Sequence, residues 1–247
     1  MSQPPHLRVL MLPWLAHGHI SPFLELATSL TRHNVFVYLC SSPVNLHSIN
    51  SSPAMASPLI KPIELHLPDL LPPHLHTTKN LPYHLMPTLK SAFDAAQTAF
   101  GHLLDNLSPD LIIYDFVQPW TPIVAGERNI PAVLFFANAA AATTLFYHHL
   151  QSPAESPPFP ALGFKGRERE VSVKMLSRSG NGQSDGERYL KSIERSSGLV
   201  AFRSFREIEG KYLDYLPSLL GKEVVPVGAL VSAVCEGEGW QVDMFLP

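Results

Sequence analysis

The chain alternates short apolar runs with helical patterns almost from end to end. That alternation admits few folds other than a parallel sheet joined by crossover helices. Leu7 to Leu12 is apolar except for Arg8, and a run of that kind reads as a strand buried on both faces. Pro13 ends it. Ser21 and Pro22 have the character of an N-cap and a first helical residue, and Phe23, Leu26, Ala27 and Leu30 follow at helical spacing. Val35 to Cys40 is a second buried strand, so the first forty residues predict a βαβ unit.

The same alternation continues downstream. Residues 52 to 87 hold eight prolines and predict loop, with a short strand over Ile63 to Leu67. Tyr83 to Leu107 predicts a helix through Leu85, Leu89, Phe93 and Phe100. Strands follow at Asp110 to Tyr114 and Ala132 to Phe136, with helices over Pro122 to Arg128 and Ala139 to Leu150. Pro153, Pro157, Pro158 and Pro160 mark a loop, and Ser177 to Gly186 has the Ser and Gly content of a mobile one. A helix over Glu187 to Arg195 and a strand over Leu199 to Phe202 come next. Ser204 and Glu207 match a capping box, opening a helix that Gly221 ends, and Val224 to Val227 is one more strand. The expected fold is α/β: a doubly wound parallel sheet with helices on both faces.

Composition narrows the function. The net charge of −3 and the lack of a basic block give no reason to expect a nucleic-acid partner. The longest apolar runs are too short for a membrane span, and the opening Met1 to His6 is not laid out as a signal peptide. Cys40 and Cys235 form neither a disulfide framework nor a zinc pattern, which points to a reducing, cytoplasmic setting. The twelve histidines match no metal-ligand spacing, so no metal site is expected. No G-x-G-x-x-G follows the first strand and no P-loop occurs, which disfavours a dinucleotide fold of that kind and a P-loop enzyme.

In a doubly wound sheet, ligands bind beyond the C-terminal ends of the strands. His19 falls there, in the loop after the first strand, and Asp115 directly follows the run Leu111 to Tyr114. A histidine backed by a carboxylate is suited to general-base work. The positive end of the following helix is expected to keep the imidazole uncharged, and Gly18 permits a close backbone approach beside it. Spacing alone leaves the ordinary alternative open: a loop histidine bonded to backbone and an aspartate capping the next helix. Trp14, Phe116, Trp120 and Phe136 cluster near the same rim, to stack on an acceptor or to pack the core.

Four blocks carry a resemblance. MLPWLAHGHISPFLELA from Met11 to Ala27, YDFVQPW from Tyr114 to Trp120, ERSSGLVAFRSFREIEG from Glu194 to Gly210 and VVPVGALV from Val224 to Val231 resemble, in order, segments of plant UDP-glycosyltransferases. HGH at His17 to His19 and HTTKNLP at His76 to Pro82 are similar to the subgroup that adds a sugar to a glycoside. The resemblance implies the Rossmann-like N-terminal half of a GT-B fold. His19 would then be the base, Asp115 its orienting partner, and Trp14, Gly18, Phe116, Trp120 and Asn138 acceptor- or sugar-side groups. Asn138 would replace, as a donor, the hydroxyl that the family commonly has where Ala137 stands.

The implied reaction is inverting transfer from a UDP-sugar, a co-substrate rather than a cofactor, to a terpenoid or flavonoid glycoside, without a metal. Residues 1–231 would be the acceptor-binding domain and 232–247 a divergent tail or linker remnant. The UDP-sugar-binding domain would come from a separate chain, giving a heterodimer. A non-catalytic glycoside-binding or regulatory homologue, and a truncated remnant, are the alternatives.

Overall fold

The computed structural model describes residues 7–152, 157–228 and 230. The expectations for Met1 to His6, Pro153, Ala229, Val231 and the tail 232–247 lie outside these residues. In chain order the elements are β1 (Leu7–Leu12), α1 (His17–Thr31), β2 (Val35–Ser41), α2 (Pro43–Ile49), β3 (Ile60–Glu64), α3 (Met86–Ala95), α4 (Gln97–Leu107), β4 (Leu111–Tyr114) and α5 (Thr121–Gly126). Then come β5 (Ala132–Phe136), α6 (Ala140–Gln151), α7 (Arg167–Leu176), β6 (Ser179–Gly180), β7 (Gln183–Ser184), α8 (Asp185–Arg195), β8 (Leu199–Phe202), α9 (Arg206–Leu220) and β9 (Glu223–Pro226).

Seven strands form one parallel sheet in the order β3-β2-β1-β4-β5-β8-β9. The order runs outward in both directions from the β1/β4 pair, so the topological switch point lies between those strands. Alternation along each strand builds two apolar layers. Leu10, Leu12, Ile112, Tyr114, Leu134 and Phe136 face one side, packed with side chains from α3, α4, α5, α8 and α9. Val9, Met11, Ile113, Val133 and Phe135 face the other, where Phe23, Leu24, Leu26 and Ala27 of α1 cover them. Phe23 meets Phe135 edge to face at 5.0 Å, and each such ring fully buried is worth about 2 kcal/mol.

Several local expectations are corrected. Helix α1 begins a turn earlier than the Ser21-Pro22 signal, and Pro22 lies inside it. The turn after β1 is already closed by the amides of His19 and Ile20 donating to the Ala16 carbonyl, each at 2.9 Å. His19 is therefore in the first helical turn, not in a loop. Strand β3 begins at Ile60 and contains Pro62, which an edge strand tolerates because one side of its ladder is unpaired. The expected single helix over Tyr83 to Leu107 is a short 3₁₀ turn followed by α3 and α4, which meet at Ala96. Helix α7, with only Leu176 buried, was not legible in the pattern.

Glu207 does not cap α9. Phe205 occupies that position, and Glu209, where α9 kinks, turns its carboxylate to other partners. It accepts from the amides of Ala140 and Ala141, both at 2.9 Å, and from Ser204 Oγ at 2.6 Å. A tertiary cap on α6 has displaced the local one. The true capping box joins Ser184 and Glu187 at the start of α8.

The Ser177 to Gly186 segment, expected to be mobile, is the β6–β7 hairpin leading into that helix. Charges that the sequence does not pair pin it in place. Arg188, 1% exposed, donates to both carboxylate oxygens of Asp94 at 2.8 and 2.5 Å and to the Gly180 carbonyl at 2.8 Å. Lys90 pairs with Asp185 alongside. Arg188→Ala leaves Asp94 buried without its cation, so urea unfolding should show a loss of about 3–5 kcal/mol. Arg128→Ala, removing a pair whose Asp105 is exposed, should leave the urea midpoint almost unchanged.

Candidate active site

The register of β1 on β4 sets the site. Leu12 pairs with Tyr114, so the residues after each strand emerge on the same rim at the switch point. Asp115 comes directly after β4, and His19 sits in the first turn of α1. The Asp115 side chain is 1% exposed and that of His19 is 26% exposed.

The buried carboxylate is fully engaged. Its Oδ2 accepts from His19 Nδ1 at 2.7 Å and from the Trp14 amide at 3.2 Å. Its Oδ1 accepts from the Phe116 amide at 2.8 Å. With the carboxylate accepting, the imidazole proton lies on Nδ1, and Nε2 keeps its lone pair for a hydroxyl proton. Gln118, which the sequence reading passed over, donates to the Leu12 carbonyl and ties the turn after β4 to the end of β1.

Burial pushes the His19 imidazole down, but the Asp115 charge and hydrogen bond push it up by more, so it lies above its ordinary value. The expectation that the helix end keeps it uncharged is corrected: a carboxylate at 2.7 Å outweighs a partial charge at a helix terminus.

The other candidates divide. Phe116 is half-buried, its ring 5.6 Å from that of His19 and 6.0 Å from the stacked ring of Phe136. Phe136 is core. Trp14 contributes its amide to Asp115, while its ring is buried edge-on to Phe93 at 5.4 Å. Trp120 is likewise buried, between Phe93 and Phe100, and presents no ring face to the rim. Asn138 lies two residues beyond β5 on the same rim, Nδ2 reaching Thr143 Oγ1 at 3.4 Å and Oδ1 buried without a partner.

Gly18 is exposed, lies in the helical turn, and a Cβ there would meet nothing within 4 Å. Among the described residues no contact requires glycine at this position. Among the described residues, no three His, Cys, Asp or Glu side chains are grouped as a metal ion would need.

Comparison with known proteins gives the family. Residues 6–230 match the family model described as glycosyltransferase, N-terminal domain, and the chain belongs to that family. It is 44% identical to UDP-glucosyltransferase 29 of Panax ginseng over 232 residues, 93% of this chain and 51% of that protein. It is 43% identical to flavanone 7-O-glucoside 2''-O-beta-L-rhamnosyltransferase of Citrus maxima, over 90% of this chain and 50% of that one. The chain thus spans about half the length of these curated relatives. An inactive UDP-glycosyltransferase of Glycine max is 33% identical, with 91% of this chain and 75% of that protein covered. The fold superposes on Glycyrrhiza uralensis UGT73P12, crystallised with glycyrrhetinic acid 3-O-monoglucuronide, with a TM-score of 0.70 over 91% of this chain and 49% of that one, at 21% identity.

Two outcomes follow. Titrated by NMR, His19 should ionise above the ordinary imidazole value of about 6.5, and Asp115→Asn should lower it. Because the folded value is the raised one, the couple's stabilisation is complete below about pH 6.5 and lost as pH rises through the folded value. Gly18→Ala should leave thermal stability undiminished; a lower Tm would mean that the chain itself requires the glycine.

Proposed function

We propose that this chain is the acceptor-binding, base-supplying half of an inverting UDP-glycosyltransferase that acts on a sugar hydroxyl of a plant glycoside of the terpenoid or flavonoid class. The observation that carries the reading is the His19–Asp115 couple at the switch point, its Nε2 directed away from the buried carboxylate. His19 Nε2 takes the proton of the acceptor hydroxyl. The oxygen's electron pair then attacks the anomeric carbon, the bond from that carbon to the phosphate oxygen breaks, and UDP leaves with its electrons. Asp115 holds the imidazole and stabilises the imidazolium. Phe116 offers an apolar surface beside the base, and Asn138 a polar one for the sugar being transferred.

The nucleotide sugar is a co-substrate held mainly by a second domain, on a longer form of this polypeptide or on a partner chain. We place the reaction in the cytoplasm. Cys40 accords with that setting: it is a buried free thiol pushed by burial up to about 12. No helix among the described residues is long and apolar enough to cross a membrane.

The test is mass spectrometry of products from UDP-glucose and a panel of flavonoid and terpenoid glycosides, with the chain supplied with a donor domain. His19→Ala should cut transfer about 10²- to 10⁴-fold, and Asp115→Asn should cut it less. Near-normal turnover by His19→Ala would remove His19 from the role. A second reading, a glycoside-binding homologue without turnover, is favoured by the inactive Glycine max relative. Glycoside binding without product in any mixture would select it.

A further inference from the structure

A second histidine lies two residues before the base and faces elsewhere, since helical positions two apart do not share a face. His17 packs against α2, its Nε2 3.2 Å from Ser48 Oγ. The Ser48 hydroxyl has one proton, and that proton goes to the Asn45 carbonyl at 2.7 Å. Towards His17 the hydroxyl can therefore only accept, so His17 carries its proton on Nε2 and keeps a lone pair on Nδ1. Burial, then the charge of Lys79, push the His17 imidazole below its ordinary value, so it is uncharged at neutral pH. The two histidines thus hold opposite tautomers: His19 presents Nε2 as acceptor and His17 presents Nδ1.

Lys79 supplies the complementary group. It is exposed and forms no ion pair among the described residues. Its loop is tied down beside the site. The Thr78 amide donates to the Leu15 carbonyl at 2.9 Å, the Lys79 amide to Thr77 Oγ1 at 3.2 Å, and Ser42 Oγ to the His76 carbonyl at 2.6 Å. The side of α1 away from Asp115 therefore carries a charged donor, a neutral acceptor and the exposed Ser48 hydroxyl. Gly18, without a side chain, separates this wall from His19.

We propose that His17 and Lys79, with Ser48 behind His17, recognise the neutral pyranose already carried by the acceptor. The ring crosses Gly18 so that one of its hydroxyls reaches His19. A neutral acceptor and a charged donor on one wall match vicinal hydroxyls, each of which can give and take a hydrogen bond. The wall makes the chain select a glycoside over its aglycone.

This inference rests on the acceptor role proposed above, and one experiment separates the two. The chain is titrated calorimetrically at neutral pH with naringenin 7-O-glucoside and naringenin. The glucoside should bind more tightly. Lys79→Gln and His17→Phe should each weaken it about tenfold, leave naringenin unchanged, and keep the circular dichroism of the parent. Gly18→Ala should weaken the glucoside as well. Unchanged glucoside affinity in Lys79→Gln and His17→Phe would overturn the inference and leave the acceptor role standing. Binding of neither compound by the parent chain would overturn both.

Discussion

The rim of this sheet is organised around one buried negative charge. A carboxylate taken out of water is costly unless its lone pairs are occupied. Asp115 meets that demand with donors from both strands of the switch point: the Trp14 amide beyond β1, the Phe116 amide beyond β4, and His19. The aspartate thereby joins the ends of two strands that are 101 residues apart along the chain. The tautomer and the raised basicity of His19 are consequences of the same contact. So is the exposure of Nε2, because the ring must present its other nitrogen to the carboxylate.

Much of this frame was legible in the sequence because a parallel strand covered on both faces must be apolar throughout. Ala132 to Phe136 and Leu199 to Phe202 appear in the structure with the bounds their composition indicates. His19 and Asp115 were legible for the same reason, each following such a run. Helix starts were less legible because a cap signal is local and tertiary contacts compete for its side chains. Ser204 was expected to cap α9 and instead meets Glu209, which has been drawn to the amides of α6. Ser184 of the true capping box lay within a segment whose Ser and Gly content suggested a loop, and the Arg188–Asp94 pair that fixes it spans 94 residues. At Trp14 and Trp120 the sequence left stacking and core packing both open, because spacing cannot distinguish a ring facing the rim from one turned into the core.

The two histidines of the HGH segment illustrate how position on a helical turn divides labour. Only two residues apart, they meet opposite environments: His19 a buried anion that raises it, His17 burial and a nearby cation that lower it. One is a strong proton acceptor and the other a neutral hydrogen-bonding group. The glycine between them is exposed. The HGH segment alone does not reveal this division, because Ser48 comes from α2 and Lys79 from the HTTKNLP segment beyond β3.

The central claim is that Asp115 holds His19 with its proton on Nδ1 and its basic lone pair on Nε2. Nitrogen-15 NMR of the chain, with His19 assigned through the His19→Ala variant and spectra taken above the His19 transition, reads this directly. The account predicts a neutral ring protonated on Nδ1 and bare on Nε2. A neutral ring protonated on Nε2 would show that the carboxylate does not hold the base, and would contradict the account at its root.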